Sequence, residues 1–89
     1  METIITYDIS AKHVEFKNEM KKLGYQDKIK TDGNCKLIYL PNTTLYHPTK
    51  SPINAREDAK SIKNSLRIQL ESCVATIWDN WAAICGEPF

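Results

Sequence analysis

The first nine residues alternate between apolar and polar side chains with the period of a β-strand. Between Thr3 and Ile9, the side chains of Ile5 and Tyr7 share one face, and the side chain of Asp8 belongs to the other. The segment is also rich in β-branched and aromatic residues, which pack well in sheets. The pattern therefore predicts a strand that buries its Ile5 face and exposes the Asp8 carboxylate near its end.

Two later segments have the period of a helix. Ser10 is a suitable N-cap for a first helix that runs to about Leu23, where Gly24 provides a C-terminal stop. A second and clearer helix is predicted from Ala55 to about Leu70. Its apolar stripe consists of Ala55, Ala59, Ile62, Leu66 and Leu70.

The rest of the chain reads as extended. Three segments are predicted between the helices: Tyr25 to Lys30, Cys35 to Leu40, and Thr43 to His47. The first two are joined by a hairpin turn at 31–34, which contains an Asp-Gly pair. Pro41 has no N–H to donate to a sheet and predicts a break, bulge or edge. A final strand is predicted from Ser72 to Trp78.

The order of these elements predicts an α+β, ferredoxin-like fold. Two right-handed β-α-β crossovers give a β-α-β-β-α-β antiparallel sheet with both helices on one face. At 89 residues the chain has room for one domain, 1–89, with 79–89 as a C-terminal tail that is a candidate for dimer contacts. The other face of the sheet must be solvated, bind a ligand, or pack on a second subunit.

Composition narrows the setting without naming an activity. Twelve basic and eleven acidic side chains give a net charge of +1, so binding to nucleic acid or a membrane would need a local patch. No signal peptide or membrane-spanning stretch is recognisable, and three widely spaced cysteines without a C-x-x-C pair favour reduced thiols. These features predict a cytoplasmic protein with no membrane partner.

Asp8 is the first candidate for chemistry. If two copies of the chain met across their open sheet faces, two Asp8 carboxylates could share a hard cation such as Mg²⁺ or Mn²⁺. Such a pair would make Asp8 both a metal ligand and a catalytic residue. The alternative is that Asp8 caps the following helix or is simply solvated.

A second candidate is a row of positive charges on the second helix. Arg56, Lys60, Lys63 and Arg67 recur at intervals of four, three and four, which places them on one stripe that could follow the phosphates of a nucleic acid. We refer to these four residues as the α2 stripe. The alternative is a solvated helix face, and no aromatic side chains interleave with the stripe to support stacking of single-stranded bases.

The remaining reactive side chains lack a recognisable arrangement. His13 and His47 could serve as general bases, but neither has the spacing of a metal ligand, and a structural or surface role is favoured. Cys35, Cys73 and Cys85 have no local activating pattern. The chain has no glycine-rich phosphate loop, G-x-S-x-G or H-E-x-x-H motif, which disfavours a nucleotide-cradling enzyme.

One motif carries a resemblance to a known family. The run Tyr7-Asp8-Ile9-Ser10 at the end of the first strand resembles the small CRISPR-associated endoribonuclease-like family that includes virulence-associated protein D. The segments Leu40 to Tyr46 and Glu71 to Ile77 look like later strands of that family, and the GhoS antitoxin is similar in fold and length. The resemblance implies a ferredoxin-like homodimer in which Asp8 binds a divalent metal for phosphodiester hydrolysis.

This sequence also departs from that family. It inserts a hairpin region from Lys28 to Cys35, lacks the arginines that are common after the motif, and ends in a Trp-rich tail.

The sequence is therefore compatible with three functions. The leading hypothesis is a dimeric protein of CRISPR-associated or toxin-antitoxin type that acts on RNA or DNA as a metal-dependent endonuclease. Asp8 would be its metal ligand and the α2 stripe would steer phosphates. The competing hypothesis is a non-catalytic module that binds a partner protein through its open sheet face or its C-terminal tail. A small-molecule-binding regulatory domain is the third.

Overall fold

A computed structural model describes residues 2–31, 33 and 35–79 of the chain. Within these residues it is an α+β protein with two helices and antiparallel sheets. The elements in chain order are β1 (Thr3–Ile9), α1 (His13–Lys22), β2 (Lys28–Lys30), β3 (Leu37–Tyr39), β4 (Thr44–His47), α2 (Pro52–Leu66) and β5 (Leu70–Ile77).

The main sheet has the strand order β4-β1-β5, and β1 is antiparallel to both neighbours. This order with two crossover helices is compatible with a ferredoxin-like fold, so the predicted fold class is confirmed. The remaining strands, β2 and β3, form a separate two-stranded hairpin. A single antiparallel bridge, between Gln26 and Tyr46, joins the segment before β2 to β4. The second strand of the ferredoxin-like order is therefore reduced to one bridge before the chain turns into the hairpin.

The core lies between the main sheet and the two helices. Its buried members come from the inward face of the sheet, one stripe of each helix and the segment after α1: Ile5, Tyr7, Ile9, Leu45, Phe16, Met20, Ala55, Ala59, Ile62 and, from that segment, Tyr25. The two small side chains, Ala55 and Ala59, allow α2 to pack closely on the sheet. Because both helices share this core, both lie on one sheet face, and no helix of residues 2–79 that the structure describes lies over the other face.

The helix ends differ from the sequence prediction for local reasons. The Ser10 hydroxyl accepts a hydrogen bond from the N–H of Gln69 at 3.0 Å, so it holds the start of β5 and does not cap α1. α1 instead begins after Lys12, a left-handed residue with φ of 57°. Ser51 caps α2, and Pro52 occupies its first turn, where the missing N–H costs nothing.

α2 also ends earlier than predicted. Arg67 adopts the left-handed conformation and stops the helix after Leu66, so that Leu70 begins β5 and does not extend the helical stripe. No helix among the described residues is long and apolar enough to cross a membrane. Two of the predicted turn residues, Asp32 and Asn34, and the predicted tail from residue 80 onward lie outside the described residues.

Candidate functional site

The sheet face opposite the helices carries the candidate residues of β1, β4 and β5. We call it the uncovered face and define it by Ile4, Thr6, Asp8, Thr44, Tyr46, Ser72, Val74 and Thr76. Strand register places Thr6 between Thr44 and Val74, and Ile4 between Tyr46 and Thr76. Val74 is 58% exposed, which is high for a β-branched apolar residue in the middle of a strand.

Asp8 is exposed at the end of β1 on this face, as predicted. It lies opposite Ser72, and the pairing with β5 shifts between Asp8 and Ile9, where Leu70 becomes the partner. Such a bulge changes the direction of the side chains beside it. No described residue forms an ion pair or a side-chain hydrogen bond with the Asp8 carboxylate. The carboxylate is therefore accessible to a cation or a partner molecule.

A metal would need more ligands than one protomer provides. Over residues 2–31, 33 and 35–79, no group of three or more His, Cys, Asp or Glu side chains could hold a metal ion. Asp8 contributes one carboxylate, and the Ser72 hydroxyl across the strand is a weak additional oxygen donor. Because Mg²⁺ keeps several waters and binds through one or two carboxylates, a second copy that brings its own Asp8 would complete the donor set. Metal binding at Asp8 stays a prediction.

The α2 stripe lies on the other side of the sheet from Asp8. Arg56, Lys60 and Lys63 lie on the helix next to the stripe that packs against the core face of the sheet, so the sheet separates them from the uncovered face. Glu57 lies 3.3 Å from the Arg56 guanidinium and 3.5 Å from the Lys60 ammonium, which offsets charge at this end of the stripe. Arg67 lies just beyond the end of the helix. The fold therefore does not bring the stripe and Asp8 to a common surface within one protomer.

An aromatic pair occupies the opposite end of the uncovered face. The rings of Tyr46 and Trp78 meet at 64° with centroids 5.3 Å apart. The Tyr46 hydroxyl donates a hydrogen bond to the Glu2 carboxylate at 3.1 Å. Burial, followed by this hydrogen bond, raises the pKa of Tyr46, so the phenol stays neutral. Tyr46 is thus held in place at both its ring and its hydroxyl.

A groove that the sequence did not reveal opens beside Tyr46. It has a volume of about 400 Å³ and runs between the hairpin and β4. Its lining consists of Gln26, Lys28, Ile29, Lys30, Leu37, Tyr46 and Pro48. We call it the hairpin groove. It joins an aromatic side chain of the uncovered face to two lysines of β2.

The lysine-lined surface continues to the tip of the hairpin. A second concavity of about 690 Å³ is lined by Lys30, Thr31, Gly33, Lys36 and Leu37, so Lys30 and Leu37 belong to both. Neither Lys30 nor Lys36 forms an ion pair with any residue that the structure describes. The alternation of Lys28 and Lys30 along β2 is the pattern that could have indicated this surface, because side chains two apart share a strand face.

The predicted structural role of His47 agrees with its surroundings. His47 is only 6% exposed, and its Nδ1 accepts hydrogen bonds from the N–H groups of Thr49 and Lys50, each at 3.1 Å. Its Nε2 lies 3.1 Å from the carbonyl oxygen of Leu23. All its polar atoms are therefore used inside the protein, whereas His13 is exposed at the start of α1.

The cysteines differ from one another. Cys73 is free and half-buried on the core side of β5, and burial raises the pKa of its thiol despite the nearby Arg56 charge. Cys35 is disulfide-bonded, so the expectation that the thiols are reduced does not hold at that position. Cys85 lies outside the described residues.

Comparison with known protein families, with curated proteins and with solved structures finds no match to this chain.

Proposed function

We propose that this protein acts on nucleic acid as a dimer of CRISPR-associated or toxin-antitoxin type, and that Asp8 serves as a ligand for Mg²⁺ or Mn²⁺ in phosphodiester hydrolysis. The observation that carries the proposal is an exposed carboxylate, unpaired among the described residues, beside a bulge on the sheet face opposite α1 and α2. Divalent ions at such carboxylates lower the pKa of bound water and stabilise charge on phosphate oxygens. The likeness of the Tyr7 to Ser10 motif to the endoribonuclease-like family supports the same assignment.

The dimer is part of the proposal because a second Asp8 would complete the set of metal ligands. A two-fold axis near the end of β1 would place two copies of Asp8 near each other, since a two-fold contact uses the same patch on both subunits. Val74, which is 58% exposed on the neighbouring strand, would be covered by such a contact. A Val74→Lys substitution should then convert a dimer into a monomer, as measured by light scattering on a size-exclusion column. Val14→Lys, at a valine 68% exposed on α1, is the matched control and should leave the mass unchanged.

Cleavage provides the direct test. The purified protein is incubated with single-stranded RNA and with duplex DNA in Mg²⁺ or Mn²⁺, with a chelator in a parallel sample. We expect metal-dependent cleavage that Asp8→Asn abolishes, because the amide is a poor metal ligand of nearly the same shape. Glu15→Gln, an exposed acid in the first turn of α1, should cleave like the parent. Cleavage that survives in Asp8→Asn would refute the assignment.

A non-catalytic interaction module is the second candidate. It is favoured by the apolar exposure of Val74, which is 58% exposed on the uncovered face of β5. Exposed apolar side chains in a sheet are typical of a surface that a partner protein covers. An intact parent protein that cleaves neither substrate in any metal, yet forms a Val74-dependent complex, would favour this function.

A further inference from the structure

We infer that the hairpin groove binds single-stranded nucleic acid, with the lysines of the hairpin on its phosphates and a base stacked on Tyr46. The inference rests on the proposed action on nucleic acid and names the substrate class and the surface that holds it. It depends neither on Asp8 nor on the α2 stripe. Its basis is the meeting in one groove of the Tyr46 ring with two lysines, of which Lys30 forms no ion pair with a described residue and Lys28 lies 3.8 Å from Asp27.

The charge of the surface suits a phosphate backbone. Lys28, Lys30 and Lys36 are all exposed, and they follow one path from the groove to the tip of the hairpin. The sequence from Lys28 to Leu40 contains Asp32 as its only acidic residue. Lys30 and Lys36 have no ionic partner among the described residues, so phosphate binding there would break no ion pair within that part of the chain.

Two acidic side chains near the groove, those of Asp27 and Glu2, already have partners. Asp27 lies 3.0 Å from the Lys21 ammonium and 3.8 Å from that of Lys28. Glu2 accepts the hydrogen bond of the Tyr46 hydroxyl. Their partners offset part of the repulsion that free carboxylates would exert on a phosphate.

Tyr46 favours a single strand over a duplex. Proteins that bind single strands combine a basic groove with aromatic side chains on which unstacked bases lie, and such stacking is unavailable inside a duplex. Tyr46 is half-buried in the groove wall and fixed by Glu2, so it offers a ring that needs little further ordering.

The site is separate from the proposed metal ligand. Along β1, Asp8 lies four positions after Ile4, the neighbour of Tyr46, which corresponds to about 13 Å of strand. A nucleic acid in the groove therefore does not need to touch Asp8 in order to bind.

Fluorescence anisotropy in a chelating buffer tests the inference without cleavage. The probes are a labelled single-stranded oligouridylate of about 12 nucleotides and a duplex of equal length. We expect the single strand to bind more tightly. Lys30→Gln/Lys36→Gln should weaken binding and reduce the slope of log affinity against log salt by about 1.4, at about 0.7 per lost phosphate contact. Lys60→Gln/Lys63→Gln removes the same charge from the α2 stripe and should match the parent.

The stacking contact is tested at Tyr46 itself. Tyr46→Leu should weaken binding about tenfold, because it removes the flat ring. Tyr46→Phe keeps the ring, loses only the bond to Glu2, and should stay within about twofold of the parent. Circular dichroism spectra confirm that each variant is folded, and Phe remains informative if Leu is not tolerated.

Several results would overturn the inference: no binding of the single strand by the parent, tighter binding of the duplex, or equal losses in the hairpin and α2 double variants. Binding and cleavage are measured separately, so that this inference and the proposed function can fail independently: Asp8→Asn should lose cleavage and keep binding. Retained binding without cleavage in the parent would refute hydrolysis and keep the groove. Cleavage and binding that the hairpin variants leave intact would refute the groove and keep hydrolysis.

Discussion

His47 anchors the strand that presents Tyr46, and its substitution has a calculable effect. Because Nδ1 faces two backbone N–H donors, it must be the acceptor, and the proton lies on Nε2, which donates to the Leu23 carbonyl. The ring also packs edge-on against Tyr25, with centroids 4.8 Å apart. Replacing His47 should therefore lower the free energy of unfolding in proportion to the bonds that each replacement loses.

Three variants of His47 remove different parts of this arrangement. Asn places its carbonyl oxygen near the position of Nδ1, so it loses one hydrogen bond and the ring contact, at about 2 kcal/mol. Gln reaches the position of Nε2 and loses the two N–H bonds and the ring contact, at about 3 kcal/mol. Ala loses all of these, at about 4 kcal/mol. A domain of this size is stable by roughly 4–13 kcal/mol, so Ala could unfold much of the population.

Urea denaturation followed by circular dichroism measures the order. We expect the parent to be most stable, followed by Asn, Gln and Ala, with similar slopes against urea. A Gln variant more stable than Asn would refute the assigned roles of the two ring nitrogens. Gly24→Ala is an independent probe: at φ of +97° its added Cβ would lie 2.8 Å from Nε2 of His47. Gly24→Ala should therefore lower the free energy of unfolding, and the steric part of this decrease, about 1 kcal/mol, should vanish when His47 is Asn.

Three further outcomes follow from backbone conformation and from pKa shifts. Arg67→Gly should stabilise the protein by about 1 kcal/mol in thermal or urea unfolding, because a left-handed conformation costs glycine nothing; Lys12→Gly should gain less, since the Lys12 ammonium also bonds a carbonyl at the end of α2. Burial opposes the ionisation of Asp27, but the hydrogen bond and charge of Lys21 outweigh it and lower the pKa of Asp27. The contribution of the Asp27 carboxylate to the free energy of unfolding is therefore present above the ordinary aspartate pKa and lost as pH falls through the lowered pKa. Asp27→Asn should lose less stability than the parent between neutral and acidic pH. An equal loss in the two proteins would contradict this. Burial, and to a smaller extent the Asp27 charge, raises the pKa of Tyr7 from 10.0 to about 12. The neutral phenol therefore contributes fully to the free energy of unfolding below pH 10, and this contribution is lost as pH rises through 12. Tyr7→Phe should show a smaller decrease of the urea midpoint at alkaline pH than the parent.

Periodicity predicted the parts of the fold in which one face is buried. The alternation in β1 correctly assigned Ile5 and Tyr7 to the core and Asp8 to the exposed face, because a one-residue shift would reverse all of them. The predicted apolar face of α2 was correct for Ala55, Ala59 and Ile62 for the same reason. These assignments depend only on local period and hydrophobic burial.

Features set by single contacts could not be predicted in this way. α2 ends at Arg67, a left-handed residue that is not glycine, so the sequence carries no stop signal there. Leu70 has helical spacing from Leu66, yet it pairs with Ile9 in the sheet. The hairpin groove depends on the direction that the hairpin takes relative to the main sheet. The hairpin has strands of only three residues, and a single bridge at Gln26 connects the chain before it to the main sheet. No local sequence pattern encodes this direction.

The positions of the groove and of Asp8 constrain each other if both proposals hold. Both are on the uncovered side of the sheet, whereas the α2 stripe is on the helix side. Within one protomer, the hairpin is therefore the basic surface that can hold a nucleic-acid strand next to Asp8. A strand held by stacking on Tyr46 would pass Asp8 at a fixed distance, since β1 between Ile4 and Asp8 is continuous sheet. Cleavage of an end-labelled oligonucleotide containing one preferred base should then occur at a fixed spacing from that base. Tyr46→Leu should spread the cut sites without abolishing metal-dependent hydrolysis, and a cut pattern unchanged by Tyr46→Leu would mean that the substrate reaches Asp8 by another route.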